Sequence, residues 1–360
     1  MTNISPKRKV EIIKEFADEI VTERELLDLF EKKEHPIAYD GFEPSGIAPI
    51  HFGLLRAINV KKLMETGIQL KLYLADYFAY INNKVGADMG KIQNVGKYFI
   101  EVWKASGVDT NKIEIIWASD LLDSLKYWDR VLTVARHLTL NRSFKSLTIA
   151  GRSQKDILST AQLFYPSMQV ADVFELDVDI CQLGMDQRRA NMIAREISDK
   201  LNWKKPVAIH HHMLLGLKGI KQMDDPEQTL IASKMSKSDP TSSIYVHDTK
   251  EEINHKIKTA FCPPNQTQGN PIFEYAKYII FPSLGNLKIC RTKENGGYIE
   301  FGSAEDLRKE YEKGSLHPND LKLGVAESLE MLIKPVREYF EKDRKARSLY
   351  NEVKSYTITR

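Results

Sequence analysis

The stretch Pro36-Ile37-Ala38-Tyr39-Asp40-Gly41-Phe42-Glu43-Pro44-Ser45-Gly46 decides the fold. Pro36 to Tyr39 read as a short strand, and the residues after Gly41 as a loop rich in Gly, Pro and Ser that ends it. Helical periodicity follows over 54–66, with Gly67 where a helix end belongs. A second strand over 70–75 and a second helix over 91–106 repeat the unit, and 113–117 is a third strand. A further short strand lies near 178–181, and 185–201 reads as a long helix. Strand–helix alternation of this kind predicts an α/β fold built on a parallel sheet with right-handed crossovers. The mainly helical stretch from about 121 to 172 breaks the alternation and reads as an insertion between two halves of the sheet.

Outward from this centre, residues 3–34 read as two amphipathic helices. Ser5-Pro6 starts the first, and Thr22 with Glu25 fits a capping box for the second. After Pro240 the character changes. A helix is expected over 249–259, loops at Pro263-Pro264, Asn270-Pro271 and Gly296-Gly297, and a strong amphipathic helix over 321–334. The pattern resumes over 336–343, so Pro335 either kinks one helix or starts another. The expected organisation is N-terminal helices over 1–35, a sheet domain over 36–245 and a mostly α-helical domain over 246–360.

A chain of 360 residues is too long for one small core, which fits that division. No run of about 18 apolar residues occurs, so no membrane span is expected. The first twenty residues lack the apolar core of a signal peptide. Cys181, Cys262 and Cys290 are scattered, which offers neither a disulfide framework nor a CxxC metal site. A cytoplasmic location is expected. The net charge of +3 permits a polyanionic partner without arguing for one.

Two common phosphate cradles are missing: no GxxxxGK[ST] loop occurs, and no GxGxxG follows the first strand. Their place is taken by Glu43-Pro44-Ser45-Gly46 with His51-Phe52-Gly53, and far downstream by Lys234-Met235-Ser236-Lys237-Ser238. This pair resembles the HIGH and KMSKS signatures of class I aminoacyl-tRNA synthetases. The first is degenerate: a common form is His-x-Gly-His, and Leu54 holds the fourth position here. The second is complete, and lies between sheet and helical domain as in the family. The resemblance implies a Rossmann-like catalytic domain, a helical anticodon-binding domain, and use of ATP with Mg²⁺. It implies no structural metal.

The chemistry suits those residue types. Amino-acid activation is attack by a carboxylate on the α-phosphorus of ATP, so no general base is needed. The barrier lies in bringing anions together and stabilising charge on the leaving phosphates. Lys234 and Lys237 would close over pyrophosphate, with Met235, Ser236 and Ser238 completing the loop. His51, Gly53 and the backbone N–H groups opening the next helix would hold the phosphates.

Three further stretches are similar to tyrosyl-tRNA synthetases of the archaeal and eukaryotic type: 38–46, Tyr165-Pro166-Ser167-Met168-Gln169-Val170-Ala171-Asp172, and Gly184-Met185-Asp186-Gln187-Arg188-Arg189. By that likeness Tyr39 and Asp172 would bond the phenol of L-tyrosine. Tyr165, Gln169 and Gln187 would surround its ammonium group, and Asp186 would lie near the ATP ribose. The spacing agrees independently, because residues at i, i+4 and i+7 share one helix face. Phenylalanine would leave the carboxylate and the Tyr39 hydroxyl unpaired, at roughly 1–3 kcal/mol for each buried group.

His210-His211-His212 invites a zinc reading, but neighbours in a strand point to opposite faces and no Cys or acidic partner stands at ligand spacing. The favoured reading is a loop after a strand that helps shape the ATP site, since the family described above has a similar segment bordering its adenine pocket. The C-terminal landmarks Ala260-Phe261-Cys262-Pro263-Pro264 and His317-Pro318-Asn319-Asp320 also resemble the family. They imply that Asp320 reads the first anticodon base of tRNA(Tyr) and that Lys145 and Arg189 contact the acceptor stem. Family members are homodimers, and the segment 131–149 is the candidate interface. A tryptophanyl-tRNA synthetase and a catalytically silent RNA-binding relative remain as alternatives. The Tyr39–Asp172 pair separates the chain from the first, and Lys234, Lys237 and Gln187 from the second.

Overall fold

The computed structural model of the chain describes residues 4–148, 159–220, 229 and 240–357. Helix α1 (Pro6–Lys14) begins at Ser5, whose hydroxyl accepts from the Arg8 amide at 3.3 Å. Strand β1 (Ala17–Val21) follows, where the sequence suggested only helix. Helix α2 (Glu23–Lys32) opens on the Thr22–Glu25 capping box. Asp18 and Glu19 hid the strand by breaking its apolar pattern. Such charges are tolerated because β1 is an edge strand.

The sheet unit contains β2 (Ile37–Phe42), α3 (Arg56–Glu65), β3 (Gln69–Leu74), α4 (Asp76–Ile81), α5 (Met89–Ala105) and β4 (Ile113–Trp117). Helices α6 (Ala118–Leu122), α7 (Leu125–Arg136), α8 (Leu140–Thr148) and α9 (Thr160–Glu175) form the insertion. The alternation resumes with β5 (Ile180–Gly184), α10 (Arg188–Leu201) and β6 (Val207–His211). The six strands run in the order β1-β6-β5-β2-β3-β4. All neighbours are parallel except β1, which pairs antiparallel with β6. Strands β5 and β6 are buried at all five positions, as expected of a sheet covered on both faces. One face packs against α3 and α5 through Val60, Leu63, Phe99 and Trp103. The other packs against α7, α9 and α10 through Tyr127, Val170, Val173 and Ile193.

The strand order reverses between β2 and β5. Two adjacent parallel strands there send their chains to opposite sides, which leaves a crevice beyond their carboxyl ends.

The C-terminal part contains α11 (Lys250–Thr259), α12 (Pro271–Tyr275), α13 (Phe281–Leu284), β7 (Leu287–Cys290), β8 (Tyr298–Phe301), α14 (Ala304–Glu312), α15 (Pro318–Lys342) and α16 (Arg344–Lys354). The β7–β8 hairpin was not expected. It turns at Gly296 and Gly297, whose φ values of 91° and 66° favour glycine. Pro335 lies inside α15, which is a single helix. Helix α16 returns to α5, where Asn94 Nδ2 donates to Glu352 Oε1 at 2.7 Å. From α15, the Tyr339 hydroxyl donates to Glu101 Oε2 at 2.6 Å. His247 stacks on Tyr350 with ring centroids 3.8 Å apart and faces Tyr98 at 5.7 Å. No described helix is long and apolar enough to cross a membrane.

Candidate active site

A cavity of about 310 Å³ occupies the crevice at the strand reversal. Strand β2 brings Tyr39 and Gly41 to it, the loop after β2 brings Glu43 and Ser45, and β3 brings Tyr73. Helix α9 contributes Tyr165, Gln169 and Asp172, so the i, i+4, i+7 spacing delivers one lining face. The turn after β5 adds Asp186 and Gln187, and the end of β6 adds His211 and His212.

The closed end is phenolic and acidic. Asp172 is 2% exposed, and burial pushes its carboxyl up to about 8 even though the Tyr127 hydroxyl bonded to it opposes the shift. Tyr127 from α7 donates to Asp172 Oδ1 at 2.8 Å. The hydroxyls of Tyr39 and Tyr73 are buried without a hydrogen-bond partner among the described residues. Burial first, then the nearby Asp172 charge, raises the Tyr73 phenol. For Tyr39 burial again leads, followed by Cys181 and Asp172. A hydroxyl-bearing ring entering this end would find a carboxylate acceptor and unpaired hydroxyls at once.

The middle of the cavity is amide and carboxylate. Gln169 Nε2 donates to Gln187 Oε1 at 3.0 Å. Glu43 Oε1 accepts from the Tyr165 hydroxyl at 2.6 Å and from Asn82 Nδ2 at 2.8 Å. Tyr165 also stands edge-on to Phe78, with ring centroids 4.7 Å apart.

The open end carries the first signature. His51 lines the cavity, but Gly53 does not. A Cβ at Gly53 would stand 2.4 Å from Val246 Cγ1, so glycine is there for packing. Three amides leading into α3 are spent on the protein. The Ile50 N–H donates to Ile244 O at 2.8 Å, and those of Phe52 and Gly53 both reach Pro49 O at 3.0 Å. Residues His51–Leu55 form a π-helical turn instead of a plain helix start.

The histidine triplet closes β6. His210 Nδ1 pairs with Glu19 Oε2 at 2.8 Å, and Arg188 holds the same carboxylate through two bonds. His211 Nδ1 meets Gln182 Nε2 at 2.6 Å, and burial keeps its imidazole neutral, well below its usual range. His212 Nδ1 bonds Asp18 Oδ2 at 2.9 Å, and its Nε2 lies 3.2 Å from Glu274 Oε2. Burial disfavours its charge, but the two carboxylates win and lift it to about 9. Among the described residues no group of three His, Cys, Asp or Glu is placed to hold a metal ion.

Lys234, Met235, Ser236, Lys237 and Ser238 lie outside the described residues. Lys145 and Arg189 are neighbours beside the cavity, with Arg189 Nη1 donating to Lys145 O at 2.8 Å. Asp320 sits in the first turn of α15 and is not part of the cavity wall. Sequence reading missed Tyr73, Tyr127, Asn82 and Arg56. The two tyrosines occupy apolar positions of a strand and a helix, where nothing marks them as polar partners. Arg56, a cation one turn beyond His51, was visible.

A family profile described as tRNA synthetases class I (W and Y) matches residues 31–334. The cytoplasmic tyrosine–tRNA ligase 1 of Arabidopsis thaliana is 44% identical over 357 residues, covering 98% of this chain and 90% of the relative. The tyrosine–tRNA ligase of Thermococcus kodakarensis is 40% identical over 369 residues, covering 97% and 98%. The crystal structure of Pyrococcus horikoshii tyrosyl-tRNA synthetase complexed with L-tyrosine matches with a TM-score of 0.89 at 34% identity, covering 97% of this chain and all of that one. With matches of that length and identity, the chain belongs to the class I tRNA synthetases, in the tyrosine–tRNA ligase family.

Proposed function

We propose that the chain is a tyrosine–tRNA ligase that forms tyrosyl-adenylate and pyrophosphate from L-tyrosine and ATP, then transfers the tyrosyl group to the 3′-terminal adenosine of tRNA(Tyr). The carrying observation is the convergence of an unpaired Tyr39 hydroxyl and the buried Asp172 carboxylate on one closed end of the cavity. The phenol donates to Asp172 and accepts from Tyr39, which places the substrate's α-carbon near Tyr165, Gln169 and Gln187. Its carboxylate then faces the open end, where His51 and Asp186 receive ATP. Lys234 and Lys237, with Met235, Ser236 and Ser238, close on the leaving pyrophosphate. Mg²⁺ would accompany ATP, held mainly by its phosphate oxygens, and would offset charge on the leaving pyrophosphate.

The division is an N-terminal segment over 1–35 whose β1 joins the sheet, catalysis over 36–245 and anticodon binding over 246–360. Asp320 reads the anticodon, and Lys145 with Arg189 meets the acceptor stem. The exposed Leu132, Leu140 and Phe144 on α7 and α8 support a homodimer through the insertion. A cytoplasmic location accords with three free cysteines.

Pyrophosphate exchange measured with all twenty amino acids tests the reading, followed by charging of tRNA(Tyr). Exchange stimulated by tyrosine alone is the expected result. Exchange driven by tryptophan, or by no amino acid, would overturn it.

A further inference from the structure

Among the described residues of the cavity wall, the permanent cations are Arg56 and Lys84. His211 is held neutral, and the charge of His212 is clasped between Asp18 and Glu274. Leu54 belongs to the apolar core, and the amides of Ile50, Phe52 and Gly53 are spent on the protein. Among the described residues, position 54 and these three amides therefore offer no phosphate donor at the open end.

The π turn supplies an alternative. Its i→i+5 bond runs from the Arg56 N–H to His51 O, which stacks residue 56 directly beyond residue 51. In an α-helix residues 54 and 55 would hold that place. Here His51, Leu55 and Arg56 line the same cavity while Leu54 is turned into the core, so the turn adds a cation to the wall. The guanidinium is fixed on two sides. Nη1 donates to Asp40 Oδ1, and the group lies over the Phe42 ring, 4.6 Å from its centroid. The side chain is only 13% exposed. Of its five N–H donors one is taken by Asp40, and no other reaches a hydrogen-bond partner among the described residues. Arg56 lines the same cavity as His51 and Asp186, the two residues assigned to ATP.

We propose that Arg56 is a nucleotide-binding residue that donates to the ribose and α-phosphate side of ATP, in place of an imidazole at position 54. The assignment rests on the tyrosine–tRNA ligase reading. In the activation step an oxygen of the tyrosine carboxylate bonds to the α-phosphorus. The bond from phosphorus to the bridging oxygen breaks, and pyrophosphate leaves with that electron pair. A guanidinium already oriented by Asp40 and Phe42 reduces the repulsion between the two anions without reorganising during the step.

A merely structural Arg56 would close the charge of buried Asp40 and nothing more. R56Q, R56K and the double variant D40N/R56Q in the full chain separate the two roles. The double variant is included because R56Q strands a carboxylate in the core. In tyrosine-dependent pyrophosphate exchange, R56Q and D40N/R56Q are expected to raise KM for ATP by about tenfold while KM for tyrosine stays within about twofold. R56K, which keeps the charge but not the fork, is expected between these and the parent. An ATP KM within about twofold of the parent in D40N/R56Q, or equal rises for both substrates, would overturn the proposal. Calorimetric titration of the same variants with ATP alone reads Arg56 independently of which amino acid is activated. Loss of the tyrosine assignment and loss of this one are thereby distinguishable.

Discussion

The Tyr127 hydroxyl donates to Asp172 Oδ1 at 2.8 Å, and both groups are buried behind the substrate end of the cavity. Tyr127 thus aims the carboxylate without lining the pocket itself. Tyr127→Phe removes the donor and leaves the ring packing. KM for tyrosine in exchange should rise about five- to tenfold with KM for ATP unchanged, matching about 1 kcal/mol for one buried hydrogen bond. An unaltered tyrosine KM would show that Asp172 is held by other contacts.

Asp172 also sets a conflict between stability and function. Burial pushes its folded-state pKa up to about 8, from the 3.8 of an ordinary aspartate. Between those values the folded chain holds a proton that the unfolded chain has released, so this group lowers stability as pH rises from 4 through 8. Asp172→Asn keeps an acceptor for Tyr127 and abolishes the titration. Thermal denaturation of the free protein at pH 8 should shift upward by about 2 °C or more, while tyrosine-dependent exchange falls below detection.

His247 carries the opposite sign. Burial, then the nearby Lys354 and Arg337 charges, lower its imidazole to about 3. The unfolded chain takes up that proton near pH 6.5, so stability is lost progressively as pH falls from 6.5 toward 3. Urea titrations across that window should show a shallower decline in His247→Phe than in the parent. Parallel curves for the two proteins would remove His247 from the account of acid unfolding.

Gly53 stands against Val246 so closely that Gly53→Ala must displace a backbone or a side chain. A destabilisation of about 1–3 kcal/mol is expected, with most of it recovered in Gly53→Ala/Val246→Ala. Denaturant midpoints of the two variants decide whether the collision is local.

The exposed Leu132 and Phe144 yield a prediction about assembly. Leu132→Asp with Phe144→Asp should halve the mass measured by light scattering. A parent that is already monomeric would exclude the insertion as an interface.

The sheet was legible because strands covered on both faces are mostly apolar, as the 37–42, 69–74 and 180–184 segments are apart from Asp40, Gln69, Lys71 and Gln182. Strand β1 was not, because an edge strand can carry Asp18 and Glu19, whose partners Arg188, His210 and His212 lie far along the chain. The lining face of α9 was readable from spacing alone. Tyr127 was not, because a tyrosine at a core position of an amphipathic helix looks like any other core aromatic until the fold sets a carboxylate opposite it. The π turn at His51–Leu55 leaves no mark in composition. Its effect, adding Arg56 to the cavity wall, depends on one backbone hydrogen bond.

The return of the last helix to the first half has a practical consequence. Asn94 with Glu352, Glu101 with Tyr339, and the ring stack of Tyr98, His247 and Tyr350 rivet the C-terminal end to α5. A chimaera that exchanges everything after residue 246 for the matching part of another synthetase would replace half of each rivet. Grafting a new anticodon specificity onto this scaffold therefore calls for transplanting α5 together with the helical part, or for keeping His247, Tyr339 and α16 while swapping the rest.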